Sequence, residues 1–231
     1  ISGKANYVWN HTTNQSELGR FGWKSNQPTL RQQVADAFNG DMGLTTSIFP
    51  DKNCPSPQLD CLNAPNGGSP EVTDKSLNNL MIYASSLSVP IRRNYEDQNV
   101  LKGKKLFRDL KCNSCHTEVF TTSNNYDFNT LLENVTIRPF SDFLLHDMGS
   151  DLADNRPDFL ATGNEWRTQP LWGIGMIKEV NRHTFLLHDG RARNIEEAIL
   201  WHDGEAEASK NRYKNLTKKE RQNLLAFINS L

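Results

Sequence analysis

The feature that most constrains this chain is the pentapeptide Cys112-Asn113-Ser114-Cys115-His116. A C-x-x-C-H sequence attaches a c-type haem, because two cysteine sulfurs at this spacing can bond to the two haem vinyl groups. The adjacent histidine then supplies the proximal iron ligand. A redox C-x-x-C does not require the histidine, and a zinc site would need a second ligand pair at finger-like spacing. The motif therefore predicts one covalently bound haem c.

Composition narrows the range of partners. The 231 residues include 26 basic and 27 acidic side chains, so the formal net charge is -1. This balance gives no reason to expect a nucleic-acid partner, and no apolar run approaches the length of a membrane span. The chain opens with Ile1-Ser2-Gly3-Lys4, without a starting methionine or a signal peptide. We interpret it as a processed or truncated piece of a longer protein.

The two remaining cysteines, Cys54 and Cys61, lie in a segment rich in Pro, Asn and Asp. Four cysteines allow three pairings, and haem attachment leaves only the Cys54–Cys61 pair. Two free surface thiols are the alternative. A disulfide and a thioether-bound haem both indicate an oxidising compartment, which in a bacterium is the periplasm.

Capping residues and apolar spacing predict an all-α fold with long loops. A helix begins at Thr29, with Gln32 completing a capping-box pattern, and Asn39-Gly40 is expected to end it. Apolar residues at helical spacing predict further helices over 73–87, 97–110 and 217–231. Gly103 carries no side chain, so the helix over 97–110 could cross the last helix closely. Residues 41–71 are expected to form a loop, and residues 117–190 are expected to form loops with short helical pieces.

Val89-Pro90 suggests a boundary between two regions. Residues 93–231 are expected to form a haem domain in which the first helix crosses the last, an arrangement that resembles cytochrome c. Residues 1–92 are expected to form a loop-rich helical segment that lies between domains in a longer protein.

The sixth iron ligand decides what the haem can do, since two protein ligands suit electron transfer and one leaves the iron open. Asn194 is expected to cap a short helix on which Ile195, Ile199 and His202 share one face. A histidine on the apolar face of a capped helix is well placed to enter a haem crevice. His202 is therefore the favoured distal ligand.

Other residues leave alternatives open. Met148 or Met176 could be the distal ligand instead, or the iron could remain open. His146 and His188 each precede an aspartate, which suits an oriented imidazole beside the haem or a structural hydrogen bond. Guanidinium groups suit the haem propionates, and the candidates are Arg167, Arg191 and Arg193. The expected crevice walls are Trp166, Trp172 and Trp201.

Motifs along nearly the whole chain resemble the family of di-haem oxidoreductases, also described as peroxidases or thiol oxidoreductases. This family belongs to the superfamily of bacterial di-haem cytochrome c peroxidases and MauG enzymes. The motifs are Leu18-Gly-Arg-Phe-Gly-Trp-Lys, Phe38-Asn-Gly-Asp-Met-Gly, the C-x-x-C-H sequence, Leu145-His-Asp-Met-Gly, Trp166-Arg-Thr-Gln-Pro-Leu-Trp-Gly-Ile-Gly, His188-Asp-Gly-Arg-Ala-Arg and Ala198-Ile-Leu-Trp-His. In these peroxidases the distal ligand of the C-terminal haem follows the His-Asp-Gly histidine by 14 residues, and counting from His188 gives His202. The resemblance therefore implies coordination by two histidines.

The chain departs from the family in one respect, because the family carries two C-x-x-C-H motifs and this chain has one. The resemblance therefore implies that the chain is the C-terminal portion, through which electrons enter. The N-terminal haem domain, where the peroxidases cleave peroxide, would be a missing partner. The superfamily also implies a possible calcium ion close to residues 181–187, for which we assign no ligands.

We therefore interpret the chain as a haem-c domain that passes electrons from a soluble donor to a second haem in a peroxidase-like oxidoreductase. The candidate haem-binding residues are Cys112, Cys115, His116, His202, Arg167, Trp172, His188 and Arg191, and no catalytic residue is assigned. The alternative is a stand-alone mono-haem electron-transfer cytochrome. A third interpretation, a thiol oxidoreductase working through Cys54 and Cys61, has less support because no neighbouring base visibly lowers a thiol pKa.

Overall fold

The structure is a computed structural model that describes residues 1–124 and 130–231. The chain divides into two compact units. The small unit comprises Tyr7–Gly22 and Asn26–Leu87, and the large unit comprises Ile1–Asn6, Trp23–Ser25 and, outside residues 125–129, Ser88–Leu231. The expected division into domains at residues 92 and 93 stays a prediction.

The small unit begins with two strands, β1 (Tyr7–Asn10) and β2 (Gln15–Leu18), which pair antiparallel. Helix α1 (Leu30–Met42) starts as predicted, because the side chain of Thr29 accepts a hydrogen bond from the Gln32 amide. The helix continues past the predicted end at Gly40. It ends at Gly43, whose φ of 71° is the left-handed conformation that glycine adopts without a steric penalty.

Two further helices complete the small unit, α2 (Leu59–Asn63) and α3 (Asp74–Ser86). Thr73 caps α3 by accepting a hydrogen bond from the Ser76 amide. The core consists of Ala35, Ile48, Val72 and Leu77. Cys54 in the loop before α2 and Cys61 within α2 form a disulfide with their Cα atoms 5.9 Å apart. A small apolar core and the Cys54–Cys61 disulfide therefore stabilise this unit.

The large unit is built on two crossing helices, α4 (Gln98–Asp109) and α8 (Lys218–Asn229). Asp97 caps α4, and a capping box of Thr217 and Glu220 begins α8. The helices cross at Gly103, where a Cβ atom would lie 2.0 Å from the carbonyl oxygen of Asn223. The predicted close crossing of these helices is therefore confirmed.

Aromatic rings fill the crossing. Phe107, Phe140 and Phe227 pack edge to face with ring centroids 5.2 to 6.1 Å apart, which is a favourable geometry for aromatic pairs. The rest of the core is Val100, Leu110, Tyr213, Leu224, Ile228 and Leu231. The ring of His116 lies 6.1 Å from that of Phe107, so the core also supports the C-x-x-C-H segment.

The remaining elements of the large unit are short. The strands are β3 (Phe120–Thr121), β4 (Thr136–Ile137), β5 (Leu145–Asp147) and β6 (Glu165–Arg167). The helices are α5 (Ile177–Asn181), α6 (Ile195–Trp201) and α7 (Glu207–Lys214). Strand β3 pairs with β4, and β5 pairs with β6, both antiparallel.

The all-α prediction is wrong. The fold is mixed, with about 40% of residues in helices and 11% in strands that form three small antiparallel sheets. Each strand spans two to four residues, which is too short for an alternating apolar pattern to be recognised. Across the described residues, no helix is both long and apolar enough to cross a membrane.

Candidate haem site

A half-open cavity of about 470 Å³ in the large unit brings together motifs that are far apart in the sequence. Its lining includes Cys112, Cys115 and His116, and it also includes His202, which lies almost ninety residues further along the chain. Apolar side chains form most of the remaining wall. The volume falls within the range of about 300 to 1,000 Å³ that small-molecule and cofactor sites occupy.

The proximal side of the cavity is formed by the C-x-x-C-H segment, which comes directly after α4 in the chain. The chain leaves this helix through Lys111, at φ 66°, and Cys112–Ser114 form one 3₁₀ turn. The backbone amide of His116 donates to the carbonyl of Cys112 over 3.0 Å. The ring Nδ1 of His116 donates to the carbonyl of Phe140 over 2.8 Å. This bond fixes the tautomer and leaves Nε2 as a lone-pair nitrogen that can bind a metal.

The distal side is the end of α6. Asn194 caps this helix by accepting from the Glu197 amide, as predicted, and His202 is its C-cap residue. The ring Nδ1 of His202 donates to the carbonyl of Ala198 over 2.6 Å. His202 therefore has the same arrangement as His116, with Nδ1 bonded to the backbone and Nε2 left for a metal.

Both imidazoles are neutral at pH 7. Burial and the nearby His202 lower the pKa of His116 to about 4. Burial is also the main cause of the lowered pKa of His202. A neutral imidazole is the form that binds iron, so the two rings have the charge state that axial ligands need.

The two cysteines of the motif are not joined to each other, although both line the cavity. Burial raises the pKa of the Cys112 thiol to about 12, so the uncharged sulfur is strongly favoured there. A thioether is likewise an uncharged sulfur group. The donor set, the uncharged Cys112 sulfur and the apolar wall therefore fit a covalently attached haem.

The other predicted residues divide into two groups. Arg167, Trp172, His188 and Met148 line the cavity, whereas Arg191 and Met176 are absent from its described lining. Arg191 binds the Asp189 carboxylate over 2.5 Å, and its guanidinium lies 4.8 Å above the ring of Trp201. Arg167 donates to Gln169 over 2.8 Å, and burial lowers its pKa. Arg167 is therefore better placed for a haem propionate than Arg191.

A stacked wall closes part of the cavity. The rings of Trp166 and His188 lie parallel, with centroids 3.6 Å apart. Lys24 lies 4.5 Å from the Trp166 centroid, and its buried ammonium binds the Asp154 carboxylate over 2.7 Å. No sequence pattern connects Lys24 with Trp166, because the contact joins residues far apart in the chain.

Sequence reasoning also missed the partners of His146. Its Nε2 lies 2.9 Å from an Asp142 oxygen, and its Nδ1 lies 3.1 Å from a Glu205 oxygen. The sulfur of Cys115 lies 3.7 Å from the same Nδ1. Cys115, Asp142 and His146 have ligand atoms close enough for a metal ion, but both nitrogens of His146 already have carboxylate partners.

Two histidines with available Nε2 atoms, in one apolar cavity with a C-x-x-C-H motif, are typical of a haem protein. Comparison with protein families gives the same class. The chain belongs to the family described as "di-haem oxidoreductase, putative peroxidase", whose model matches residues 1–231. This membership implies a haem cofactor. Searches of curated proteins and of solved structures find no match.

Proposed function

We propose that this chain is a haem-c electron-transfer domain of a di-haem oxidoreductase. In this proposal Cys112 and Cys115 attach the haem, and His116 and His202 are its axial ligands. One observation carries the proposal: both imidazoles line the same cavity, and each has its Nδ1 bonded to a backbone carbonyl. This leaves two equivalent nitrogens for the two axial positions of one iron.

The haem supplies a one-electron couple between ferric and ferrous iron. The chain contributes the surroundings. His116 and His202 would bind the iron through their neutral imidazoles, and the apolar wall excludes water and strengthens local electrostatic interactions. Arg167 would bind a propionate, while Trp172 and His188 form walls of the crevice. With both axial positions occupied, peroxide chemistry is assigned to a second haem in a separate N-terminal domain.

The remaining parts of the proposal concern partners and compartment. A soluble donor would supply electrons, and the second haem would accept them. The disulfide in the small unit supports an oxidising compartment such as the periplasm. A calcium ion close to residues 181–187, which the family resemblance implies, stays a prediction without assigned ligands. The stand-alone cytochrome is the alternative, and a second C-x-x-C-H motif in the full-length encoded protein would argue against it.

Optical spectra of the purified holoprotein test the axial ligands. We expect a low-spin wild type and a high-spin His202→Ala variant, with a haem that acid and organic solvent do not extract from either protein. The exposed His183 provides the matched control, so His183→Ala should keep the wild-type spectrum. If the wild type is high-spin, or if His202→Ala keeps the low-spin spectrum, His202 is not the ligand. Met148→Ala would then be the next variant, since Met148 also lines the cavity.

A further inference from the structure

We propose that His146 is a positioning residue that ties the segment carrying the distal ligand His202 to the segment carrying Cys115 and His116. The inference rests on the proposed function, since it assumes that these segments hold one haem. His146 lies on β5 and is 2% exposed. Its Nε2 contacts Asp142, and its Nδ1 contacts both the Cys115 sulfur of the proximal segment and the Glu205 carboxylate of the distal segment.

The proximal side of this link is fixed by backbone hydrogen bonds. The amide of Asp142 donates to the carbonyl of Cys115 over 2.7 Å, and the amide of Ser141 donates to the carbonyl of Thr117 over 3.0 Å. The carbonyl of Phe140 accepts the hydrogen bond from His116. Residues 140–142 are therefore hydrogen-bonded to the C-x-x-C-H segment and the residue after it. The Asp142 carboxylate in turn binds the His146 ring and holds it next to that segment.

The distal side of the link is the turn after His202. Glu205 lies three positions after His202. Its carboxylate accepts hydrogen bonds from His146 and from the Ser2 amide, the latter over 2.7 Å. The turn lies directly against β5, because a Cβ atom on Gly204 would be 2.3 Å from the carbonyl oxygen of Asp147. Glu205 therefore holds this turn to the strand that carries His146.

Charge makes the link strong. Burial lowers the pKa of His146, but hydrogen bonds with Asp142, Cys115 and Glu205 outweigh burial and raise the pKa to about 10. The two carboxylates remain as partners when the sulfur of Cys115 is in a thioether. Hydrogen bonds between a charged imidazole and carboxylates are stronger than neutral ones, so the turn is held firmly at neutral pH.

The link has a consequence for ligand exchange at the iron. An external ligand can bind a haem with two histidine ligands only while one of them has dissociated. Dissociation of His202 requires its turn to move away from β5, and the bond from His146 to Glu205 opposes that movement. Loss of the bond should therefore raise the rate of external ligand binding without changing the attachment of the haem.

The test uses cyanide binding to the oxidised holoprotein, followed by stopped-flow absorbance. Glu205→Ala removes the distal partner, and His146→Phe removes the ring that links the segments. We expect each variant to bind cyanide about tenfold faster than the wild type, a ratio equivalent to about 1.4 kcal/mol. Glu207→Ala is the matched control, because Glu207 is exposed and lies two positions further along the same segment. It should keep the wild-type rate.

The double variant decides whether the two residues act through one another. If they do, Glu205→Ala combined with His146→Phe should be no faster than the faster single variant. Multiplied rates in the double variant would overturn the inference, as would a Glu205→Ala rate equal to that of Glu207→Ala. Glu205→Ala keeps the experiment decisive even if His146→Phe does not fold. A wild type that is already high-spin would contradict the proposed function itself, and the spectrum shows this before any rate is measured.

Discussion

Two histidines that line the same cavity, His116 and His146, have pKa values that move in opposite directions. His116 donates to a neutral carbonyl, so burial dominates and lowers its pKa to about 4. His146 has Asp142, Cys115 and Glu205 as partners, and their hydrogen bonds outweigh burial and raise its pKa to about 10. A neutral ring can bind iron and a charged ring can form ion pairs. The hydrogen-bond partner thus decides the charge of each ring: His116, the proposed iron ligand, is neutral, and His146, the proposed positioning residue, is charged.

The charge on His146 predicts how stability depends on pH. Because its folded pKa lies above its usual 6.5, its contribution is fully present below about pH 6.5 and is lost as the pH rises towards 10. We expect His146→Gln to be less stable than the wild type by about 2 kcal/mol at pH 6, the typical contribution of charged hydrogen bonds. The difference should shrink as the pH rises above 7 in chemical denaturation of the holoprotein.

Acid should also weaken the hydrogen bond between His146 and Glu205, because it protonates the Glu205 carboxylate. Burial raises the pKa of Glu205, but its hydrogen bonds with His146, Ser2 and Asp147 lower it to about 2. Its contribution is therefore present above about pH 4.5 and is lost as the pH falls towards 2.

A difference between wild type and His146→Gln that stays constant from pH 6 to pH 10 would mean that His146 is uncharged in the folded protein.

At the residue scale, the sequence identified the side chains that lie on patterned elements. The helix spacing predicted that His202 would project towards an apolar environment, and the structure places it in the cavity with Cys112, Cys115 and His116. The roles of these residues stay predictions. Asp142 and Glu205 could not be found in this way, because their bonds to His146 depend on how loops without periodicity fold back on one another.

At the scale of elements, the crossing of α4 and α8 gives a prediction about Gly103. A Cβ atom there would lie 2.0 Å from the carbonyl oxygen of Asn223 and 2.7 Å from Cβ of Phe227. Gly103→Ala must therefore push the helices apart, and we expect a loss of about 1 to 3 kcal/mol in unfolding free energy, as in other overpacked cores. Chemical denaturation followed by circular dichroism would measure it.

Gly40 provides the matched control, because it lies inside α1 and has open space around the position of a Cβ atom. Gly40→Ala should stabilise the protein by up to about 1 kcal/mol, since alanine has the higher helix propensity. The same substitution should thus have opposite effects at the two positions. Equal effects at both would show that propensity, and not the crossing, determines the outcome at Gly103.

Helices that carry their own caps were predictable as elements, whereas the strands were not. The caps Thr29, Asn194 and Thr217 are each confirmed by a hydrogen bond from a backbone amide in the first turn. Strands such as β5 and β6 depend on a partner far along the chain, since Leu145 pairs with Arg167. The local sequence around a strand does not indicate which distant strand it pairs with. The strands were therefore not predicted, and the expected all-α fold is wrong.

At the scale of the whole molecule, the haem cavity and the disulfide belong to different units. The lining of the cavity comes from the large unit, and Cys54 and Cys61 lie in the small unit. The proposed electron-transfer function therefore does not require the disulfide to react. A thiol oxidoreductase that used these cysteines would require it, so their replacement separates the two functions.

Replacing both Cys54 and Cys61 by serine should leave the optical spectrum and the cyanide-binding rate of the holoprotein unchanged. The variant should lose about 2.5 kcal/mol of unfolding free energy in the small unit, from the entropy of the chain segment that the disulfide closes. Cys112→Ser with Cys115→Ser is the comparison, and it should yield a haem that acid and organic solvent extract. If the Cys54/Cys61 variant instead lost turnover of a thiol substrate that the wild type oxidises, the thiol interpretation would be favoured. Equal thiol turnover in both proteins would remove it, and the haem would then remain as the redox group of this chain.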